Sequence, residues 1–497
     1  VVWDNCSGTK NLTRDYYFKE LYCSTLENAE LEISERYNRE GTSFQFDFLN
    51  DSLDKLPQGL KDALENNKPI IFFINPPYAG TGSGAGKVKE KGTIKTMVNE
   101  QMLSDKIGAC SQNLYAQFLY RIMMIKKQYN LTDIHIALFS PTLFLTGGSW
   151  KGFREHFLKK FDYNSGVQFK ASHFADVADS WGISFSIWNN GETTDKNNFN
   201  YNLIDNIDGE IEVIGEKDVY NIDGGTSASA WVKPTIVNKV LFPNASSAIV
   251  VRGKENSDVL WGENSIGYFY NKSNNVDKNT LDVALFTMPF FDAHGYSVTN
   301  DNFDKCTALF SARKLIEKNW VNSKDEYLAP NEENEHYNEF VNDSLVYSLF
   351  HSASNQSSLR QVEYKGKLWD IKNEFFFMSK DEVMELANEN NLDFTYNDAR
   401  VSSDRYVYTK LQGIELSPEA KAVLDKAREL TIKSFRYREL FNEEHPEYQI
   451  LNWDASYYQL KAMWKEFMPN EYKEFKELYK KLADKMRPRV YELGFLK

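Results

Sequence analysis

The chain has 497 residues, 58 Lys+Arg against 71 Asp+Glu, a formal net charge of -13 and 42% hydrophobic residues. Its ordinary apolar fraction excludes wholesale disorder, and no apolar run approaches the roughly 18 residues that a membrane-spanning helix needs. Four scattered cysteines (Cys6, Cys23, Cys110, Cys306) without a CxxC pair, and an opening with no signal peptide, set the expectation of a reducing cytoplasm, with neither a disulfide framework nor a metal site.

In chain order, Val1–Trp3 reads as a strand ending at Asp4, and residues 12–20 as a helix. Leu21–Leu26 reads as a second strand, Ala29–Tyr37 as a helix and Phe44–Leu49 as a third strand. Pro69–Ile74 (PIIFFI), apolar throughout, is a fourth strand. Leu114–Met124 is an apolar-aromatic helix, and Ile134–Phe139 and Ile183–Trp188 are further strands. Near-continuous apolar strands separated by helices predict an α/β fold with a parallel sheet covered on both faces. Ligands in such sheets bind at the carboxyl ends of the strands, so the loops after Trp3, Leu26, Phe46 and Ile74 should carry the chemistry.

Composition changes after Trp188. Residues 189–225 hold nine acidic and two basic residues, with an alternating segment (EIEVI) and the turn pairs Asp208-Gly209 and Asp223-Gly224. They read as an acidic, hairpin-like connection, followed by a Gly/Ser linker at 224–229. Beyond Lys239 the chain is aromatic-rich and irregular, with an acidic, Asn-rich loop at 331–344. Helices resume at Ser417–Leu440, opened by Ser-Pro-Glu, and at Glu471–Leu493. The expected domains are 1–190, a 191–239 connection, and 240–497.

Residues 74–78 read Ile-Asn-Pro-Pro-Tyr directly after the fourth strand. An exocyclic amine on a nucleobase is a poor nucleophile, because its lone pair is delocalised into the ring. Two acceptors set against the amino hydrogens hold that nitrogen near sp³ geometry and expose the lone pair. The Asn75 side-chain carbonyl and the Pro76 backbone carbonyl can be those acceptors. Pro76 and Pro77 stiffen the turn, and Tyr78 offers a face on which a flipped base stacks. An ordinary Pro-Pro turn after a buried strand is the bland alternative for this segment taken alone.

With these residues the chain resembles the S-adenosylmethionine-dependent DNA methyltransferases that modify the exocyclic N6 amine of adenine. Asp4-Asn5-Cys6-Ser7-Gly8-Thr9-Lys10 is similar to the family's first motif, with Lys10 in place of its second glycine. The resemblance implies that Asp4, Cys6, Gly8 and Thr9 surround the methionine part of the cofactor. It implies Glu27, displaced from the usual acidic position at Thr25, as the ribose ligand. It implies Asp47 on the cofactor adenine amine and Phe48 packed on that ring. Asn113–Phe118 resembles the helix beneath the cofactor, and Ala137–Pro141 the strand and loop after it. His173–Val177 and Gly182–Ile187 resemble the last catalytic motif, with Phe174 as the second aromatic on the flipped base and Trp181 as its competitor. The motif order resembles the gamma group, with a target-recognition domain after the catalytic one. The long second half loosely resembles type IIG restriction-modification enzymes. A Rossmann-like methyltransferase sheet followed by a mixed α+β target-recognition domain is therefore implied. So are S-adenosylmethionine as cofactor, double-stranded DNA as partner, and a nuclease or other restriction-modification subunit as a further partner. The group has a helical element before the first strand, so the expectation is an N-terminally truncated fragment, or a first segment missing from this sequence.

Gly80–Lys87 suggests a nucleotide loop but fails on spacing, with Thr81 and Val88 where Gly and Ser or Thr are required; it reads as a loop beside the site. The basic-aromatic stretch 421–439 reads as a DNA-backbone contact or a solvated helix face. Two other functions stay open: a methyltransferase acting on protein glutamine or RNA, and a non-catalytic DNA-binding or decoy protein with this fold. The acidic balance is local, since 189–225 carry -7 and 331–344 carry -5.

Overall fold

The computed structural model describes residues 1–78, 95–173, 177–242, 259–288, 295–356, 358–364, 366–392, 403–448, 450 and 454–497. Two units divide the chain: Val1–Gly225 with Lys318–Glu326, and Thr226–Glu317 with Tyr327–Lys497.

The first unit is built on a nine-stranded sheet. Its strands are β1 (Val2–Asp4), β2 (Leu21–Thr25), β3 (Thr42–Gln45), β4 (Ile70–Ile74), β5 (Ile134–Ser140), β6 (Phe161–Lys170), β7 (Gly182–Asn190), β8 (Asn198–Ile207) and β9 (Glu210–Tyr220). Their spatial order is β3-β2-β1-β4-β5-β7-β6-β8-β9. The strands β3, β2, β1, β4 and β5 are mutually parallel, with Val2 opposite both Leu21 and Ile71. The order reverses between β1 and β4, which makes that pair the switch point of a doubly wound sheet. β7 enters antiparallel between β5 and β6. The helices of this unit are α1 (Asn28–Ser34), α2 (Gln58–Glu65), α3 (Met97–Ser104), α4 (Leu114–Tyr129), α5 (Leu143–Thr146) and α6 (Lys151–Phe157).

Trp3 anchors the core beneath the switch point. It is fully buried, and its ring meets Phe48 at 5.4 Å and Phe72 at 5.3 Å while its indole N–H donates to Ser24 Oγ at 3.1 Å. That combination buries a large apolar surface and leaves no orphaned donor. α4 lies against the sheet with ten buried side chains, which is why it reads as apolar almost all round.

Three expectations change here. Residues 12–20 form turns, not a helix, so a short non-helical crossover joins β1 to β2. The third strand ends at Gln45, because Asp47 starts a side-chain-capped turn. The acidic 198–220 segment is a hairpin, as its alternation and its Asp208-Gly209 pair predict, but β8–β9 extends the sheet and is not a connection outside it. Its Asp208-Gly209 turn has φ of +51° and +94°, the twist that a two-residue hairpin loop requires.

Lys318–Glu326 closes the far side of this unit. Lys217 Nζ meets Asp325 Oδ2 at 2.5 Å in a buried pair, and Gln168 Nε2 donates to the Trp320 carbonyl at 2.7 Å. Gly182 makes this approach feasible, since a Cβ there would stand 2.0 Å from the Trp320 carbonyl oxygen.

The second unit carries β10 (Lys239–Phe242) paired with β11 (Val259–Gly262), and a four-stranded sheet. That sheet is made of β12 (Ser265–Asn271), β13 (Val283–Phe286), β14 (Gly295–Thr299) and β15 (Ser354–Asn355) in the order β14-β12-β13-β15. A hairpin joins β16 (Leu359–Tyr364) to β17 (Lys367–Ile371). Its helices are α7 (Ala228–Trp231), α8 (Phe303–Leu315), α9 (Tyr337–Leu349), α10 (Lys380–Glu389), α11 (Tyr406–Leu411), α12 (Pro418–Ser434), α13 (Arg438–Glu444), α14 (Tyr457–Phe467) and α15 (Pro469–Glu492). Ser417 caps α12 with its Oγ on the Ala420 amide, ahead of Pro418, as the Ser-Pro-Glu sequence predicts. α9 occupies half of the stretch read as an acidic loop: its acids are spaced among apolar residues that all turn inward. Among the described residues, no helix is long and apolar enough to cross a membrane.

Candidate functional site

The site forms at the carboxyl ends of β1 and β4. These strands are hydrogen-bonded neighbours, with Trp3 opposite Phe72, so Asp4 at the end of β1 with Asn5 and Cys6 after it, and Asn75–Tyr78 after β4, emerge side by side. The Asn75 backbone amide reaches the Cys6 thiol, and burial, then the charge of Asp4, pushes that thiol well above its ordinary range. Asn75 is exposed, Pro76 buried and Pro77 exposed.

Asp4 is fully buried, and neither of its oxygens has a hydrogen-bond partner of regular geometry among the described residues. Burial pushes its carboxyl up to about 7, while the nearby Cys6 amide and the charge of Lys10 pull the other way. The Asn5 side chain is likewise buried with both polar atoms unmatched. Buried polar groups are ordinarily paired, so these four atoms describe a place for polar groups that the described residues do not supply. Gly8 follows, with φ +49° and nothing within 4 Å of where a Cβ would stand, which leaves open room beside its backbone. Thr9 is half-buried and donates to Asn11 Oδ1 at 3.3 Å. The donors and acceptors here, with the open glycine, fit the amino-acid end of S-adenosylmethionine.

Lys10 shows how the turn survives without its second glycine. It keeps the left-handed conformation, at φ +63°, and is wholly buried. Its Nζ donates to the carbonyls of Tyr37 at 2.9 Å and Asn38 at 3.3 Å. The ammonium thus ties the β1 loop to the segment after α1, which offsets a backbone strain of about 1–2 kcal/mol.

The other predicted residues are placed as follows. Glu27 is exposed at the N-cap of α1, with no side-chain cap bond. Thr25, at the end of β2, instead donates to Glu30 at 2.5 Å, so Glu30 is the carboxylate held over that strand end. Asp47 accepts from the Leu49 and Asn50 amides at 3.0 and 3.1 Å and from Asn50 Nδ2 at 2.8 Å. Phe48 is buried and stacks on Phe118 at 5.3 Å. Phe174 and the Gly80–Lys87 loop lie outside the described residues.

Around Tyr78 the structure assembles aromatics from three elements. Its ring meets Tyr115 of α4 and Trp181 edge to face, each at 6.3 Å. Burial raises the Tyr78 hydroxyl above the ordinary tyrosine range, and that hydroxyl donates to Asn75 Oδ1 at 2.5 Å. The Tyr115 hydroxyl, and Ser140 Oγ at the end of β5, are buried without partners among the described residues. Nothing in the local sequence distinguishes the Tyr115 hydroxyl or Glu30 from its neighbours, and Ser140 stands out only as the polar end of an apolar strand beside β4.

The 421–439 stretch is mostly committed elsewhere. Lys426 pairs with Glu429 and Glu474, Arg428 with Glu382, and Lys433 with Glu429, while Arg438 is buried over Phe435. Of its basic residues only Lys421 and Arg436 are exposed. Among the described residues one group has metal-type ligands, Glu444, His445 and Glu466. His445 faces Glu466 at 3.0 Å and Glu447 at 3.5 Å, an arrangement that a surface ion pair explains.

No family model matches this sequence, and no curated protein matches it. Several solved structures are similar over part of the fold. One is assigned as the modification subunit of a type I restriction enzyme from Vibrio vulnificus YJ016, at 15% identity and a TM-score of 0.28, covering 42% of this chain and 43% of that one. Another is the type IIG restriction endonuclease BpuSI, at 15% identity and a TM-score of 0.28, covering 44% and 27%. A third, from Listeria monocytogenes, is assigned as a class I S-adenosylmethionine-dependent methyltransferase, at 10% identity and a TM-score of 0.27, covering 38% and 53%. The likeness thus spans less than half of the type I subunit and about a quarter of BpuSI.

Proposed function

We propose that this chain is an S-adenosylmethionine-dependent DNA methyltransferase of a restriction-modification system, acting on the exocyclic N6 amine of a flipped adenine. The observation that carries this reading is the juxtaposition of Asn75-Pro76-Pro77-Tyr78 with the unmatched Asp4 and Asn5 side chains at the β1/β4 switch point. Asp4 and Asn5 would hold the polar end of the cofactor, with Cys6, Gly8 and Thr9 lining its approach. Glu27 or Glu30 would take the ribose hydroxyls, and Asp47 with Phe48 the adenine. The bound cofactor supplies an electrophilic methyl group. Asn75 Oδ1 and the Pro76 carbonyl accept the two amino hydrogens and leave the nitrogen lone pair directed outward. Tyr78 stacks the base, with Phe174 or Trp181 as its second aromatic wall. A base within the duplex cannot reach this position, so it must be extruded. Residues 240–497 would read the target sequence.

The test is transfer of tritiated methyl from S-adenosylmethionine to DNA, with location of the modified base. Asn75→Ala should lower the rate about 10²–10³-fold, the loss typical of one preorganised polar contact. Undiminished label in that variant sinks the mechanism. Label in protein or RNA alone favours the other substrates, and no label without cofactor binding favours a non-catalytic protein.

A further inference from the structure

One face of α14 carries Tyr458, Lys461 and Lys465 at i, i+3 and i+7, which places them along a single stripe. Neither lysine has a carboxylate three or four residues away: those positions hold Tyr457, Tyr458, Trp464, Ala462, Met468 and Pro469, or the other lysine. Neither makes an ion pair among the described residues, unlike Lys426 and Lys433 of α12. Lys461 Nζ lies 5.7 Å from the Tyr457 ring and 5.6 Å from that of Tyr458, and Tyr458 is 54% exposed.

A second lysine, on α8, acts with Lys461 on the same buried histidine. Lys314, in the last turn of α8, donates to the Asn279 and Thr280 carbonyls at 2.7 and 3.2 Å. Burial, then the charges of Lys314 and Lys461, drops His351 to about 4, so the imidazole stays neutral; its Nδ1 accepts from the Ala353 amide at 3.0 Å. Burial and the charge of Lys465 lower Lys461 as well. Asp282, which acts on Lys314, pairs with Lys272 and Lys278, and Glu466, next to Lys465 in the chain, pairs with His445. A half-desolvated cation beside like charges, open to solvent through an exposed tyrosine, is stabilised by an anion from outside.

We propose that the Tyr458–Lys461–Lys465 stripe is a contact for the phosphate backbone of duplex DNA, with Tyr458 packing on the sugar edge. This rests on the DNA reading above, but assigns residues that the methyl-transfer chemistry does not use. Contacts of this kind position the protein without reading sequence.

The experiment is fluorescence anisotropy of the full chain with two labelled duplexes of different sequence over a range of KCl. Lys461→Gln with Lys465→Gln should weaken both duplexes equally, by about tenfold at low salt. It should also make the slope of log affinity against log salt shallower by about 2. Lys465→Gln alone, at an exposed position, should shift the slope by about 1, and the Lys→Arg pair should keep the parent slope. A parent-like slope in the Gln variants, with the unaltered chain binding DNA, overturns this inference alone. Absence of salt-dependent binding by the unaltered chain overturns the proposed function as well.

Discussion

Tyr78 donates to Asn75 Oδ1, the acceptor assigned to the target amine, so an incoming base must displace that hydroxyl before it can be oriented. A neutral hydrogen bond of this kind contributes about 1 kcal/mol. Tyr78→Phe should therefore preserve the single-turnover methylation rate or raise it up to about fivefold. Tyr78→Ala, which also removes the stacking face, should lose roughly 10- to 100-fold. Equal losses in both variants would contradict the displacement. Asp4 adds a pH dependence. Its carboxyl ionises near 3.8 in the unfolded chain and is pushed up to about 7 by burial in the fold. Below about pH 4 it is neutral in both states and nothing is lost. As pH rises towards 7 the unfolded chain gains an ionisation that the fold resists, and above 7 the ligand-free protein carries the full penalty, on the order of 4 kcal/mol. Urea midpoints of the ligand-free chain should fall between pH 4 and 7, and Asp4→Asn should flatten that fall while weakening cofactor binding. Identical pH profiles would remove Asp4 as the cause. At this scale the sequence is legible in position, since Asp4 and Asn75 stand at the ends of β1 and β4 where the apolar runs stop. It is opaque where local hydrogen bonds decide. Nothing in the letters shows that Asp47 caps its own turn, or that Thr25 selects Glu30 over Glu27.

Apolar runs such as PIIFFI identify β4 and β5 because they are short, rich in β-branched and aromatic residues and too brief for a helix, with Ile70, Phe72 and Ile74 of β4 buried on one face. Edge and inserted elements lack that signal. β6, with mixed burial, passes unnoticed, and β8–β9 reads as a connection because its outer residues are charged. Residues 12–20 have helical composition, but the left-handed Lys10 and the bonds from Asn38 Nδ2 to the Thr13 and Tyr16 carbonyls hold them in turns. Lys10→Met should accordingly cost roughly 1–3 kcal/mol, because it leaves the Tyr37 and Asn38 carbonyls without their donor. Thermal denaturation measures this, and an unchanged midpoint would show that the tie carries no stability. Gly182 is the corresponding device on β7. Gly182→Ala brings a Cβ against the Trp320 carbonyl at a distance that no rotamer relieves, and should destabilise by about 1–3 kcal/mol. The readout is faster tryptic cleavage at Lys318 or Lys324 before the remainder of the chain is cut; a parent-like digestion pattern would show that the backbone yields there without loss.

The acid excess of the chain lies largely in two segments, and at the scale of the molecule each belongs to a different compact unit. The net charge of -13 is thus no measure of either unit's affinity for a polyanion, which depends on where unmatched cations stand. The division also fails to follow the chain. The expected boundary at residue 190 omits the β8–β9 hairpin, and one drawn after Gly225 omits Lys318–Glu326, which the first unit needs. Without that segment Lys217, only 10% exposed, faces no carboxylate from Asp325, Gln168 loses the Trp320 carbonyl, and the Tyr220 hydroxyl loses the Glu326 carbonyl. Removing one partner of a buried ion pair costs about 3–5 kcal/mol, which for a unit of this size lowers the melting temperature by roughly 10 °C. A chain of residues 1–225 should therefore melt that far below the same chain carrying 318–326 on a flexible Gly/Ser linker, and Asp325→Asn should cancel much of the gain. Coincident melting of the two chains would show that the first unit closes on its own and that Lys318–Glu326 only rests upon it.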